Sequence, residues 1–212
     1  MNWNIVKGAC LALLPVAGTL KAQEKPNIVV ILADDLASNE ISCYGGKNLK
    51  TPNIDRIAEE GIRFTNNFAS CAMSVPIRAS LYTGLYPARH GSYQNHKISY
   101  SDIKSVTYYL PQAGYRVGRA GKTHTVPKSV FNFEKVPGFE ENCIAVTADY
   151  TVDGIRDFMR QDSPFCLFVC STLSHAPWTC GNKDEFDADK VILPPNCVDN
   201  KGTRELFQTS FG

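Results

Sequence analysis

Ile28-Val29-Val30-Ile31-Leu32-Ala33-Asp34-Asp35 is the stretch from which the architecture can be read. Six consecutive apolar residues, mostly β-branched, suit a strand covered on both faces of a parallel sheet rather than a half-exposed one. The run stops at two adjacent carboxylates, which repel each other unless a cation or several donors hold them. Divalent calcium or magnesium favours such oxygen ligands.

Further runs extend the pattern. Phe165 to Cys170 (FCLFVC) is a second fully apolar strand, with Cys166 and Cys170 at even spacing on one face, where they suit buried thiols better than metal ligands. Tyr115 to Ala120 (YRVGRA) is a weaker strand, and Ile62 to Phe68 alternates apolar and polar residues as another. Helices are expected between them. Residues 51–61 carry Thr51 as cap, Pro52 in the first turn, an apolar face of Ile54, Ile57 and Ala58, and a closing Gly61. Residues 105–113 end at Gly114, and Tyr150 to Arg160 follows Asp149 as cap. From Cys180 onward the chain reads as polar and irregular. Strands alternating with helices imply a doubly wound, mainly parallel α/β sheet with helices on both faces. In such sheets ligands bind beyond the carboxyl ends of the strands.

The residues with chemistry to offer follow strand ends. Cys71 to Gly84 (CAMSVPIRASLYTG) holds Ser74 at a predicted helix start, with Pro76 at the first helical position and Gly84 at the end. A helix N-terminus favours an anion, and Arg78, one turn on, can reach back to the same place. Ser74 as a mere cap is the plainer reading for that stretch alone. Gly121-Lys122-Thr123-His124 follows the weak strand, and His175-Ala176-Pro177-Trp178 follows the second apolar one. Solvated acids, a cap, a surface lysine and two unrelated histidines would not all fall at one sheet edge. Two acids for a cation, a hydroxyl and several cationic or proton-bearing groups suit transfer of a phosphoryl or sulfuryl group. No nucleophile-elbow motif favours acyl transfer. These residues alone do not separate sulfate from phosphate.

Composition narrows the setting. The chain has 212 residues, 43% hydrophobic and 20% charged, and a formal charge of +1, which suits one globular domain and gives no electrostatic case for nucleic acid. Residues 1–22 read as an export signal. Lys7 precedes the apolar run Ala9 to Val16, too short to span a bilayer, and Ala22 offers a small residue for cleavage. The protein is therefore expected to be exported, periplasmic or secreted, without a membrane span. Cleavage would leave residues 23–212 close to neutral. It would also leave seven cysteines (Cys43, Cys71, Cys143, Cys166, Cys170, Cys180 and Cys197), an odd number.

Lys25 to Asp35, Thr51 to Phe68, Ser74-x-Pro76-x-Arg78 with Thr83-Gly84, and Gly121-Lys122-x-His124 together resemble a type I sulfatase, from about Lys25 to about Asn200. The resemblance implies an alkaline-phosphatase-like α/β fold and hydrolysis of sulfate esters, often on sugars. It implies that Ser74 is oxidised to formylglycine by a radical-SAM maturating enzyme, and that Asp34, Asp35 and the modified Ser74 bind calcium, with magnesium possible. By the same likeness Arg78 and His124 hold and deprotonate the formylglycine hydrate. Lys122 binds sulfate oxygens, and His175 stands near the leaving oxygen. Ile77 departs from the small residue usual after the proline. Residues 23–212 then correspond to the N-terminal part of the catalytic domain, incomplete at the C-terminus, with doubtful activity in isolation. The partners expected are a sulfated carbohydrate or aryl sulfate and the maturase. Two other readings remain: a phosphatase or phosphonate hydrolase of the same superfamily, and a non-catalytic fragment that binds anionic glycans.

Overall fold

The computed structural model describes residues 25–146 and 150–211. Four strands form one wholly parallel sheet in the order β1-β4-β2-β3, where β1 is Ile28–Ala33, β2 Arg116–Gly121, β3 Glu134–Val136 and β4 Phe165–Ser171. The unbroken apolar run of β4 places it inside the sheet, with its first six residues all buried. Alternate β4 residues feed two cores. Cys166, Phe168 and Cys170 pack on one face with Ala79 and Tyr82 of helix α2 (Ser74–Thr83) and with Val106 and Leu110 of α4 (Val106–Gln112). Phe165, Leu167 and Val169 pack on the other with Phe158 and Ile155 of α5 (Asp153–Met159). Helices on both faces of a parallel sheet make the expected doubly wound arrangement.

Tyr82 ties α2 to the sheet. Its ring stands edge-on to Phe133 at 4.8 Å and to Phe168 at 5.2 Å, contacts worth about 0.5–1.5 kcal/mol each beyond their buried area. α2 ends as expected at Gly84, in the left-handed region with φ 70°. The remaining helices are α1 (Pro52–Glu60), α3 (Pro87–His90) and α6 (Lys201–Phe211).

Several expectations need correction. β1 is an edge strand covered on one face only: Ile28, Val30 and Leu32 join the first core, while Val29 and Ile31 stand 46% and 65% exposed. Residues 62–68 form no strand, with Ile62 82% and Phe68 86% exposed. Alternation gives a strand its faces, but the ladder needs a neighbour, and none of the described strands lies alongside. α2 begins two residues earlier than expected, so Ser74 is its first residue, Met73 its cap and Pro76 its third. The proline still costs nothing there, because the N–H groups of the first turn have no helical partner. α5 begins at Asp153, whose N–H donates to Thr151 Oγ1. The expected cap Asp149 and the export signal lie outside the described residues. The tail after Cys180 is not wholly irregular: Asn200 accepts from Thr203 N at 2.9 Å and starts α6. No described helix is long and apolar enough to cross a membrane.

Candidate active site

Asp34 sits just past β1, where its N–H donates to the Ser171 carbonyl at 3.0 Å and Ser174 Oγ donates to its own carbonyl at 2.7 Å. Its side chain is buried, with Oδ1 accepting from Arg78 Nη2 at 3.0 Å and Oδ2 from Lys122 Nζ. All three side chains are less than a tenth exposed. Burial by itself would raise the Asp34 pKa, but the hydrogen bonds and charges of Lys122 and Arg78 outweigh it and hold the carboxyl below its ordinary value. The carboxylate is thus ionised and doubly clamped. Arg78 therefore turns to Asp34, and its Nη1 stays buried without a partner. Leaving such a donor unsatisfied costs about 1–3 kcal/mol, which an incoming oxygen would remove.

Lys122 is delivered by the turn after β2. Its N–H continues the ladder to the Cys170 carbonyl at 3.1 Å. The preceding Gly121 has φ +79°, and a Cβ there would collide with the Cys170 carbonyl oxygen. Only glycine fits that corner. Two residues beyond Lys122, His124 holds a left-handed φ of 43°, as Asp35 does at 59°. Non-glycine residues occupy that region at a cost of about 1–3 kcal/mol, and such strain gathers at functional sites.

His124 Nδ1 lies 3.0 Å from Ser74 Oγ. Burial, followed by the positive charges of Lys122, His96 and Arg78, lowers the His124 pKa. Its imidazole is neutral at neutral pH and able to accept a proton. The first turn of α2 is less open than expected, because the Val75 N–H already donates to Asn95 Oδ1 at 3.0 Å. Across the cleft, His175 Nε2 lies 3.4 Å from Asp35 Oδ2, and its Nδ1 lies 2.6 Å from the Ala176 carbonyl.

A cleft of about 620 Å³ is lined by Asp35, Ser74, Lys122, His124, Cys143 and His175. The structure brings Asp34, Ser74, Arg78, Lys122 and His124 together, with Asp35 and His175 on the same cleft, although Ser74 and Arg78 come from α2 and follow no strand. Asn95, His96 and Cys143 were missed. Each lies in a loop without periodicity, and no short-range pattern in the sequence marks them.

A parallel sheet with a clamped carboxylate and two histidines just beyond its strand ends, and a serine at the start of α2 facing them, puts a polar site where open α/β sheets bind ligands. The sulfatase family model matches residues 26–191, and the chain belongs to the sulfatase family. It is 38% identical over 161 residues to an ulvan-active sulfatase of Formosa agariphila, covering 73% of this chain and 31% of that one. It is 32% identical over 192 residues to an N-acetylglucosamine-6-O-sulfatase of Bacteroides thetaiotaomicron, covering 80% and 34%. A structure solved in complex with its substrate D-glucosamine-2-N,6-O-disulfate superposes with a TM-score of 0.62 at 31% identity, covering 73% of this chain and 36% of that one. The chain thus spans about a third of the length of these relatives.

Proposed function

We propose that this chain carries the nucleophile and sulfate-binding part of a sulfuric ester hydrolase acting on sulfated glycans in an exported setting. The observation that carries the reading is the Ser74 hydroxyl 3.0 Å from a neutral His124, on a cleft lined by Lys122, which the buried Asp34 shares with Arg78. The glycan class is drawn from relatives whose own names specify ulvan and sulfated glucosamine.

Two groups are implied by the family. The oxygen donors Asp34, Asp35 and Ser74 fit a hard cation such as calcium, or magnesium, in kind; they supply fewer ligands than the six to eight that calcium takes. Such an ion would stabilise negative charge on the sulfate oxygens. Ser74 fits formylglycine, since it borders the cleft and has a basic partner. Matured by a radical-SAM enzyme, it supplies a hydrated aldehyde as the nucleophile toward sulfur.

The chain's own groups have separable tasks. His124 Nδ1, 3.0 Å from the hydroxyl at position 74, accepts its proton as that oxygen attacks sulfur. Lys122 presents its ammonium to sulfate oxygens while Asp34 holds it in place. Arg78 orients the hydroxyl at position 74 through the guanidinium edge that Asp34 leaves free. His175, its Nδ1–H donated to the Ala176 carbonyl, presents Nε2 toward the leaving oxygen and protonates it.

The test is sulfate release from 6-O-sulfated glucosamine and from ulvan by the chain co-expressed with a maturase. Release that Ser74→Ala lowers by about a thousandfold or more supports the reading. Release unaffected by Ser74→Ala, or turnover of phosphonate monoesters alone, would overturn it.

A further inference from the structure

Asp34, Cys143 and His175 come from three separate parts of the chain, yet a carboxylate oxygen, Sγ and an imidazole nitrogen lie within 4.8 Å of one another. We propose that these three side chains form a binding site for a borderline-soft divalent ion, Zn2+, which shares Asp34 with the hard-cation position.

The donor chemistry differs from that of an oxygen-only site. One thiolate, one imidazole and one carboxylate is a zinc set, and three protein ligands leave a fourth position for water. His175 is prepared for the task. Its Nδ1–H is donated to the Ala176 carbonyl at 2.6 Å, which leaves Nε2, 3.4 Å from Asp35 Oδ2, as the nitrogen available to an ion. Ligating histidines are usually fixed in this way by a carbonyl or carboxylate on the other ring nitrogen. Asp34 is not exhausted by Arg78 and Lys122, because a carboxylate offers about four lone-pair positions and these two donors take one on each oxygen. Tetrahedral bonds of about 2.0–2.3 Å place ligand atoms roughly 3.3–3.8 Å apart, so closure by about one ångström is needed. The half-buried Cys143 lies in the irregular segment 140–146, outside any helix or strand, and can supply that movement.

Binding is balanced simply. The Cys143 thiol releases its proton to solvent, and the thiolate supplies negative charge to the dication beside the Asp34 carboxylate, which Lys122 and Arg78 also share. Zinc at Asp34 opposes calcium at the same carboxylate and takes His175 away from the leaving oxygen. This consequence for turnover rests on the proposed sulfatase reading, whereas the binding itself does not.

The experiment uses the unmodified chain without any sulfate ester, so it is independent of Ser74 maturation. Zn2+ affinity is measured by competition with a chromophoric chelator, and Co2+ is added as a spectroscopic substitute. The expected result is one equivalent bound, with a thiolate-to-cobalt charge-transfer band. Cys143→Ser is expected to abolish the band and weaken Zn2+ binding about tenfold or more, and His175→Ala to weaken it similarly, while Cys180→Ser and Cys197→Ser change neither. Circular dichroism of Cys143→Ser establishes that the variant is folded. A charge-transfer band that survives in folded Cys143→Ser, or failure of the unmodified chain to compete with the chelator, would overturn the site.

Discussion

Asp34 is held in a low-water environment between two cations, and both of them depend on it. Replacing it with the nearly isosteric asparagine would leave Lys122 and Arg78 buried without a counter-charge. Asp34→Asn is therefore expected to cost about 3–5 kcal/mol in chemical denaturation. The sign with pH follows from the lowered Asp34 pKa. Its contribution is complete above the unfolded value of about 3.9 and is lost as the pH falls through the lower folded value. His124 acts in a higher window. Its folded pKa lies below the ordinary value of about 6.5, so the unfolded chain takes up that proton first as pH falls. His124 therefore costs no stability well above pH 6.5 and a growing amount below it. Denaturation midpoints across this range should fall less steeply for His124→Gln than for the unmodified chain; equal slopes would contradict the assignment.

At the scale of elements, two glycines in similar left-handed turns separate strain from crowding. Gly84 ends α2 at φ +70° with open space where an added methyl would sit, whereas Gly121 meets a backbone carbonyl. Gly84→Ala should cost about 1–2 kcal/mol, the price of the backbone conformation alone. Gly121→Ala should cost clearly more, about 3 kcal/mol or above, since the corner between β2 and Lys122 must move. Thermal denaturation of the pair checks the order. The same elements show what the sequence could disclose. β1 and β4 were legible as strands from their apolar runs, although the run of β1 overstated its burial, and β2 from a weaker pattern; Asp34, Lys122 and His175 were legible because they follow these strands within five residues. Residues 62–68 were misread because alternation is local while pairing is not. α6 was hidden by a polar stretch containing Gly202, and Cys143 by a loop whose position depends on tertiary packing.

For the whole molecule, the described surface exposes large apolar side chains in two places. Val29 and Ile31 on the uncovered face of β1 and Ile62, Phe64 and Phe68 in the segment before α2 are all exposed. An open parallel edge with apolar neighbours invites association. The isolated chain is expected to bind a hydrophobic dye and to self-associate with rising concentration in light scattering. Ile31→Lys should reduce both without loss of stability. Phe168→Ala, in the buried core, should instead cost about 3–5 kcal/mol.

We propose Ser74 as the precursor of the nucleophile rather than a helix-end hydroxyl, and the mass of the peptide containing it, after co-expression with a radical-SAM maturase, decides between the two. The expected peptide is lighter than the serine form by two hydrogens, from a protein that remains folded. A peptide of unaltered serine mass, under conditions in which the same maturase converts a known substrate, would contradict the proposal.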